Sequence, residues 1–387
     1  MHLEFAELVV VGATFVVALG LAAHYAQLSA PTGFILAGIF LSPILREFSD
    51  YRAEARLLIE IGSMLFMLGL GLRAPLCWGW PRSRTTILRA GAHVTSATAF
   101  GLLIAASLGW PLLDGVVFGL CLAPASFLIV FSLHGNMSAS AAGREASEVA
   151  LCTALIAMVV VVVVSAGRRA WPALSLDKGA LIAVMSLAIA GFVLLLAAIA
   201  HLIIRATRRP SGRSFSLDTP QLIALGLGLA SAGALVFGVP PAVAAFLTGM
   251  ALGYVTIVRQ ASKNLRPMLD LLAVAFFVAL GLQFDPGAVR SAPLAFLATL
   301  LFVSVGKPWL AMAVGTRVPL SLSSRLAVAR SLGQIGEVSW VVAAIAAGSG
   351  LISDEARSLI LNAAIVTLLV AAIDTRPSTS KGPITTS

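Results

Sequence analysis

Apolar runs and short polar breaks alternate along the whole chain. The runs are roughly 18–25 residues long and nearly free of charge, enough for a helix to cross about 30 Å of hydrocarbon. Polar stretches containing Arg, Asp, Gly or Pro separate them. The pattern predicts about thirteen membrane spans, over residues 5–26, 30–46, 54–73, 85–109, 113–133, 146–167, 178–205, 220–237, 241–258, 267–284, 291–315, 325–348 and 355–374. The short segments of alternating polarity that build a closed β-barrel are absent. The fold class is therefore all-α, a polytopic membrane protein.

Composition agrees with this. Of 387 residues 59% are hydrophobic and 11% charged, and the mean hydropathy is +0.99. A soluble domain carries about 25% charged residues. The net charge of +9 comes from dispersed loop cations, which orientation in a membrane explains and nucleic-acid binding does not. With the N-terminus outside, sixteen Lys and Arg fall in inner loops and the tail and eight in outer loops; Lys307 and Arg330 lie in or at helices. That bias predicts a multi-pass plasma-membrane protein with its C-terminus in the cytoplasm. The acidic start MHLEFAELVV has no basic leader region, so the first span is expected to be retained. Residues 375–387 read as a disordered polar tail. Cys77, Cys121 and Cys152 are scattered and form no metal or disulfide pattern.

An internal repeat organises the spans. LGLAAHYAQLSAPTGFILAG from Leu19 and LGLASAGALVFGVPPAVAAFLTG from Leu227 both read as a helix end, a proline turn and a new helix containing Gly38 or Gly249. LGLR at 70–73 pairs with LGLQ at 280–283 at a similar offset of about 210. Seven spans separate the partners, so the copies run in opposite senses, as in inverted-repeat secondary transporters. The expected units are 5–167, a linker helix at 178–205, and 220–374. The same offset sets Ala125, beside Pro124, opposite Gly336, beside Glu337. Proline weakens one span and glycines the other. Spans 5 and 12 are thus predicted to be broken, and broken helices offer backbone groups to an ion.

At these residues the sequence resembles the cation:proton antiporter-2 family, the Kef-type and sodium/hydrogen exchanger relatives. PTGFILAGIFLSP, LIEIGSMLFMLGLGL with Glu60, PPAVAAFLTGMALG and FFVALGLQFD look like the family's spans 2, 3, 9 and 10. GQIGEVSW is similar to its span-12 signature, with Gln334, Gly336 and Glu337 in place and Val338 and Trp340 at the aromatic positions. Lys307, in SVGKPWL, falls where the family has a membrane-embedded lysine. One departure stands out. The family places an ion-binding aspartate ten residues after an arginine; here Arg144 is followed at that distance by Ala154, preceded by Thr153. The resemblance, covering residues 1–374, implies proton-coupled antiport of a monovalent cation, Na⁺ or K⁺, by a homodimer in the bilayer, with an atypical site.

The transport pathway is expected at Lys307, Glu337, Gln334, Gly336, Ser126, Pro124, Thr153, Ala154 and Glu60. An ammonium at the bilayer centre costs about 3 kcal/mol or more unless paired. Lys307 could pair with Glu337, donate to the carbonyl ends of a broken helix, or meet an anionic solute. Glu337 could line the pathway or accept backbone N–H groups. Ser126 and Thr153 offer neutral oxygens or interhelical packing. Glu60 reads as interhelical scaffold or an entry route, and His93 as a proton relay or a satisfied interhelical histidine. The alternatives are a transporter of another solute, anions among the candidates, and a non-transporting sensor or partner subunit. No HExxH, GxSxG or Walker motif is present, so enzyme chemistry and bound cofactors are not expected.

Overall fold

The computed structural model describes residues 5–26, 28, 30–46, 52–74, 84–134, 140–170, 178–207, 218–262, 264–316 and 319–374. Cys77 and the tail 375–387 lie outside these residues. The described secondary structure is helical. The helices are α1 (Phe5–Tyr25), α2 (Ala30–Arg46), α3 (Arg52–Arg73), α4 (Arg84–Leu108), α5 (Leu112–Leu122), α6 (Phe127–His134), α7 (Ala141–Ala170), α8 (Lys178–Thr207) and α9 (Thr219–Phe237). They continue as α10 (Pro241–Gly253), α11 (Thr256–Ala261), α12 (Arg266–Gly281), α13 (Pro286–Ser291), α14 (Pro293–Leu301), α15 (Lys307–Ala313), α16 (Leu322–Ser331), α17 (Glu337–Gly348) and α18 (Asp354–Asp374). Among the described residues, six helical segments are long and apolar enough to cross a membrane by themselves.

Three predicted spans need correction. Span 9 (241–258) is two helices, because the chain turns at Tyr254–Val255. Span 11 (291–315) starts after a break at Ala292 and runs as one helical segment over Pro293–Ala313, widened by a π-helical turn at Phe302–Gly306. There the Lys307 N–H reaches back five residues to the Phe302 carbonyl, immediately before Pro308, which has no N–H to donate. Span 6 begins at Ala141, five residues before the predicted start, and Glu145 thereby joins the helix.

The helices sort into two groups. One contains α1–α3 and α9–α12; the other contains α4–α7 and α14–α18. Glycines set the closest approaches in the first group. A Cβ on Gly38 would lie 2.1 Å from the Val278 carbonyl oxygen, and one on Gly281 2.1 Å from that of Ile35. A Cβ on Gly71 would lie 2.2 Å from the Phe246 oxygen, and one on Gly249 2.2 Å from that of Leu68. The two contacts exchange under the repeat offset: 249 − 38 = 211 and 281 − 71 = 210. Small residues let membrane helices approach where no hydrophobic effect drives them together. Gly38→Ala is expected to push α2 from α12 and lower the thermal melting point in detergent; an unchanged melting point contradicts the close contact.

Between the groups, Trp340 on α17 stacks on Phe276 of α12 at 5.2 Å, and Phe276 on Phe66 of α3 at 4.2 Å. At one end of the bundle the Asn362 amide donates to the Asp285 carbonyl (2.7 Å) and accepts from the Asp285 N–H (3.0 Å), tying α18 to the start of α13.

Candidate functional site

Both breaks predicted from sequence are present, and they meet. Helix α5 ends at Leu122, two residues before Pro124, as expected where a proline disfavours helix at the residue before it. The chain restarts as α6 at Phe127, where the Ser126 hydroxyl accepts from the Ile129 N–H as an N-cap. Helix α16 ends at Ser331 and α17 restarts at Glu337, with Gly336 extended as its N-cap. The two unwound segments cross in contact. The Gly336 N–H donates to the Pro124 carbonyl at 3.1 Å, and a Cβ at Gly336 would lie 2.3 Å from the Ala125 oxygen. Only glycine permits that approach.

The crossing brings four half-helix ends together. Helices α5 and α16 present carbonyls, the negative dipole ends; α6 and α17 present N–H groups, the positive ends. Each pair is matched by one buried charge. Lys307, 1% exposed, donates to the carbonyls of Leu122 (2.9 Å), Gln334 (2.8 Å) and Pro124 (3.4 Å). Glu337, 0% exposed, accepts from the Phe127 N–H (3.0 Å) and the Ser126 hydroxyl (2.5 Å). Of the options left open by the sequence, Lys307 takes the carbonyl ends and Glu337 the N–H ends. The π-turn before Lys307 and Pro308 after it set its approach, and Gly333 makes room: a Cβ there would lie 2.6 Å from Pro308 Cγ.

The other expected residues divide. Pro124, Ser126, Gln334 and Gly336 are at the crossing; the Gln334 amide nitrogen donates to the Arg330 carbonyl, and its oxygen has no protein partner. Thr153 and Ala154 are buried on α7, which packs on both broken helices. The Thr153 hydroxyl donates to the Ala150 carbonyl of its own helix at 2.9 Å. Ala154 is fully buried in the apolar core of the bundle. Glu60 is exposed on α3, in the other helix group.

Sequence reasoning missed one feature. Arg89, counted with the inner-loop cations, is 2% exposed inside α4 and ion-paired with Glu145 of α7. Beside it the Thr86 hydroxyl donates to Glu148 at 3.1 Å. The available signal was Arg89 and His93 spaced four apart within one predicted span, and so on one helix face.

Residues 11–381 match the family described as sodium/hydrogen exchanger, transmembrane. The chain belongs to the sodium/hydrogen exchanger family. It is 30% identical over 361 residues to the YbaL protein of Escherichia coli (strain K12), whose name proposes a cation/proton antiporter. That alignment covers 91% of the chain and 64% of YbaL. It is 29% identical to the glutathione-regulated potassium-efflux system protein KefC of Cronobacter sakazakii, covering 87% of the chain and 55% of KefC. The chain thus spans less than two thirds of the length of these curated relatives. Its fold is that of the sodium proton antiporter MjNhaP1 from Methanocaldococcus jannaschii. The TM-score is 0.67 over 96% of each chain, at 16% identity.

Proposed function

We propose that the chain exchanges a monovalent cation, Na⁺ or K⁺, for protons across the membrane, with Lys307 as the proton carrier and the crossing carbonyls as the cation seat. The observation that carries this is the environment of Lys307. An ammonium has three donors, and three carbonyl oxygens at the ends of two broken helices receive them. Carbonyl oxygens of this kind also coordinate dehydrated alkali cations. The protonated lysine and a free cation therefore compete for one set of oxygens. When Lys307 gives up its proton, the negative helix ends are left to the cation. With Ala154 and Thr153 at the position of the family's acid, the competition no longer needs a carboxylate on α7.

The inverted repeat, with units at 5–167 and 220–374 about a linker at 178–205, belongs to the same reading; the reciprocal glycine contacts and the paired breaks support it. So do the charge-derived orientation, N-terminus out and C-terminus in the plasma membrane, and the homodimer implied by the resemblance. The anionic-solute alternative is less well supported, since Lys307 has no donor left over for an anion.

Reconstituted liposomes test the proposal. Wild type is expected to move Na⁺ or K⁺ against an imposed pH gradient. Over the range where Lys307 is protonated, one-to-one competition raises the half-saturating cation concentration roughly tenfold per unit fall in pH. Exchange seen only after Ala154→Asp, or a half-saturating concentration indifferent to pH, overturns it. No flux of any solute in either form points to a sensor or partner subunit.

A further inference from the structure

The buried face of α4 changes character along its length. Its buried residues run Thr86, Arg89, Ala90, His93 and then Ala97, Gly101, Ile104 and Ala105. Thr86, Arg89 and His93 are spaced three and four apart, on one face, over about 10 Å of rise. The facing helix does the same. Helix α7 carries buried Glu145 and half-buried Glu148, three apart and so on one face, in its first turns. Beyond them it buries mainly small and apolar residues, Ala150, Ala154, Ala157 and Met158 among them. Both helices begin at the same end of the bundle, since one broken crossing separates them. The interface between them is polar from that end to mid-height and apolar beyond.

Two ties cross this interface, Arg89 to Glu145 and Thr86 to Glu148. They leave groups over: Nε and Nη2 of Arg89 and Nε2 of His93 have no protein partner. Buried polar atoms are nearly always hydrogen-bonded, and a line of spare donors and acceptors is where water is held. His93 is the innermost member. It is 2% exposed and lies within electrostatic reach of both Arg89 and Lys307. The charged groups that act on it are Lys307, on α15, which packs on α4, and Arg89 one turn back on α4 itself; Glu145 of α7 and Arg325 of α16 act in turn on Arg89.

We propose that the polar face shared by α4 and α7 is a proton route open to one end of the bundle, with His93 handing protons between it and Lys307. This rests on the reading of Lys307 as the proton carrier. A proton leaving the Lys307 ammonium, directly or through water, enters the His93 ring at Nε2. The imidazolium releases its other N–H proton toward Glu145 and Glu148, and neutral lysine and neutral imidazole remain. Arg89 keeps its charge and relays nothing; it is a positioning residue that fixes Glu145. On the charge-derived orientation the route opens inside. Protons then reach Lys307 from the outside only when the helix groups move.

The test uses the full chain in liposomes enclosing a pH-sensitive dye. His93→Gln is expected to slow cation-driven internal pH change at least tenfold while the half-saturating cation concentration stays put. In His93→Gly, added imidazole is expected to restore the rate. A wild-type rate in His93→Gln, or a loss in His93→Gly that imidazole does not rescue, overturns the relay. Should wild type show no cation-driven proton movement, the antiport reading fails and the route is judged separately. The ring of ¹⁵N-labelled His93 is then followed by NMR against pH in detergent. A titration curve that moves in Glu148→Gln or Lys307→Met supports the route, and identical curves in all three proteins overturn it.

Discussion

Lys307→Met abolishes exchange and lowers the melting point of the purified protein. Methionine approximates the length and volume of the lysine stem, so packing changes little. What is lost is one charge and three donors. The carbonyls of Leu122 and Gln334 then lose the lysine donor, that of Pro124 keeps only the Gly336 N–H, and an unsatisfied buried polar group costs about 1–3 kcal/mol. Two helix ends of the same sign also meet with no cation between them. Flux in liposomes is expected to fall below about a hundredth of wild type, the scale on which removing a proton-transfer group acts. Lys307→Arg is not expected to rescue it, because a planar five-donor fork does not fit three converging carbonyls. Flux above a tenth of wild type in the methionine variant removes Lys307 from the exchange site.

Glu337 is expected to separate scaffold from pathway. Glu337→Ala strips the acceptor from the Phe127 N–H and the Ser126 hydroxyl. It leaves the N-terminal ends of α6 and α17 uncompensated in an apolar interior, a loss of about 3–5 kcal/mol by analogy with one partner removed from a buried pair. Poor folded yield or a sharply lower melting point should follow. Glu337→Gln keeps one oxygen for one of the two hydrogen bonds, which fall on different carboxylate oxygens, and gives up the charge. Its melting point is expected between those of wild type and Glu337→Ala, with flux kept above a tenth of wild type. Glu337→Gln as stable as wild type but without flux would move this residue from scaffold to pathway. Glu337→Ala with an unchanged melting point would show that the crossing does not depend on the stitch.

Much of this arrangement is legible in single residues. Pro124 marks one break because proline cannot donate and clashes with the turn before it. Gly333 and Gly336 mark the other, and one lysine in an apolar run marks the point where charge has to be matched. The π-turn ahead of Lys307 was not legible. Pro308 announces a disturbance, but whether the chain kinks, caps or widens depends on what α15 packs against. Arg89 was misplaced for a related reason: near the end of a predicted span, a cation reads as a loop residue until its partner from another helix is known.

That the protein is a bundle of membrane helices, where its two weak points fall, and which charged side chains lie between hydrophobic walls can all be read along the chain. Those follow from run length, residue type and spacing, which are local. That the weak points cross each other, that Lys307 answers the carbonyl ends and Glu337 the N–H ends, and that Arg89 finds Glu145 emerge from the packed bundle alone. Partner choice between segments such as Ser126 and Glu337, 211 residues apart, depends on helix rotation and close approach. Those are set by glycine contacts and the packing of every other helix together, and no window of sequence contains them.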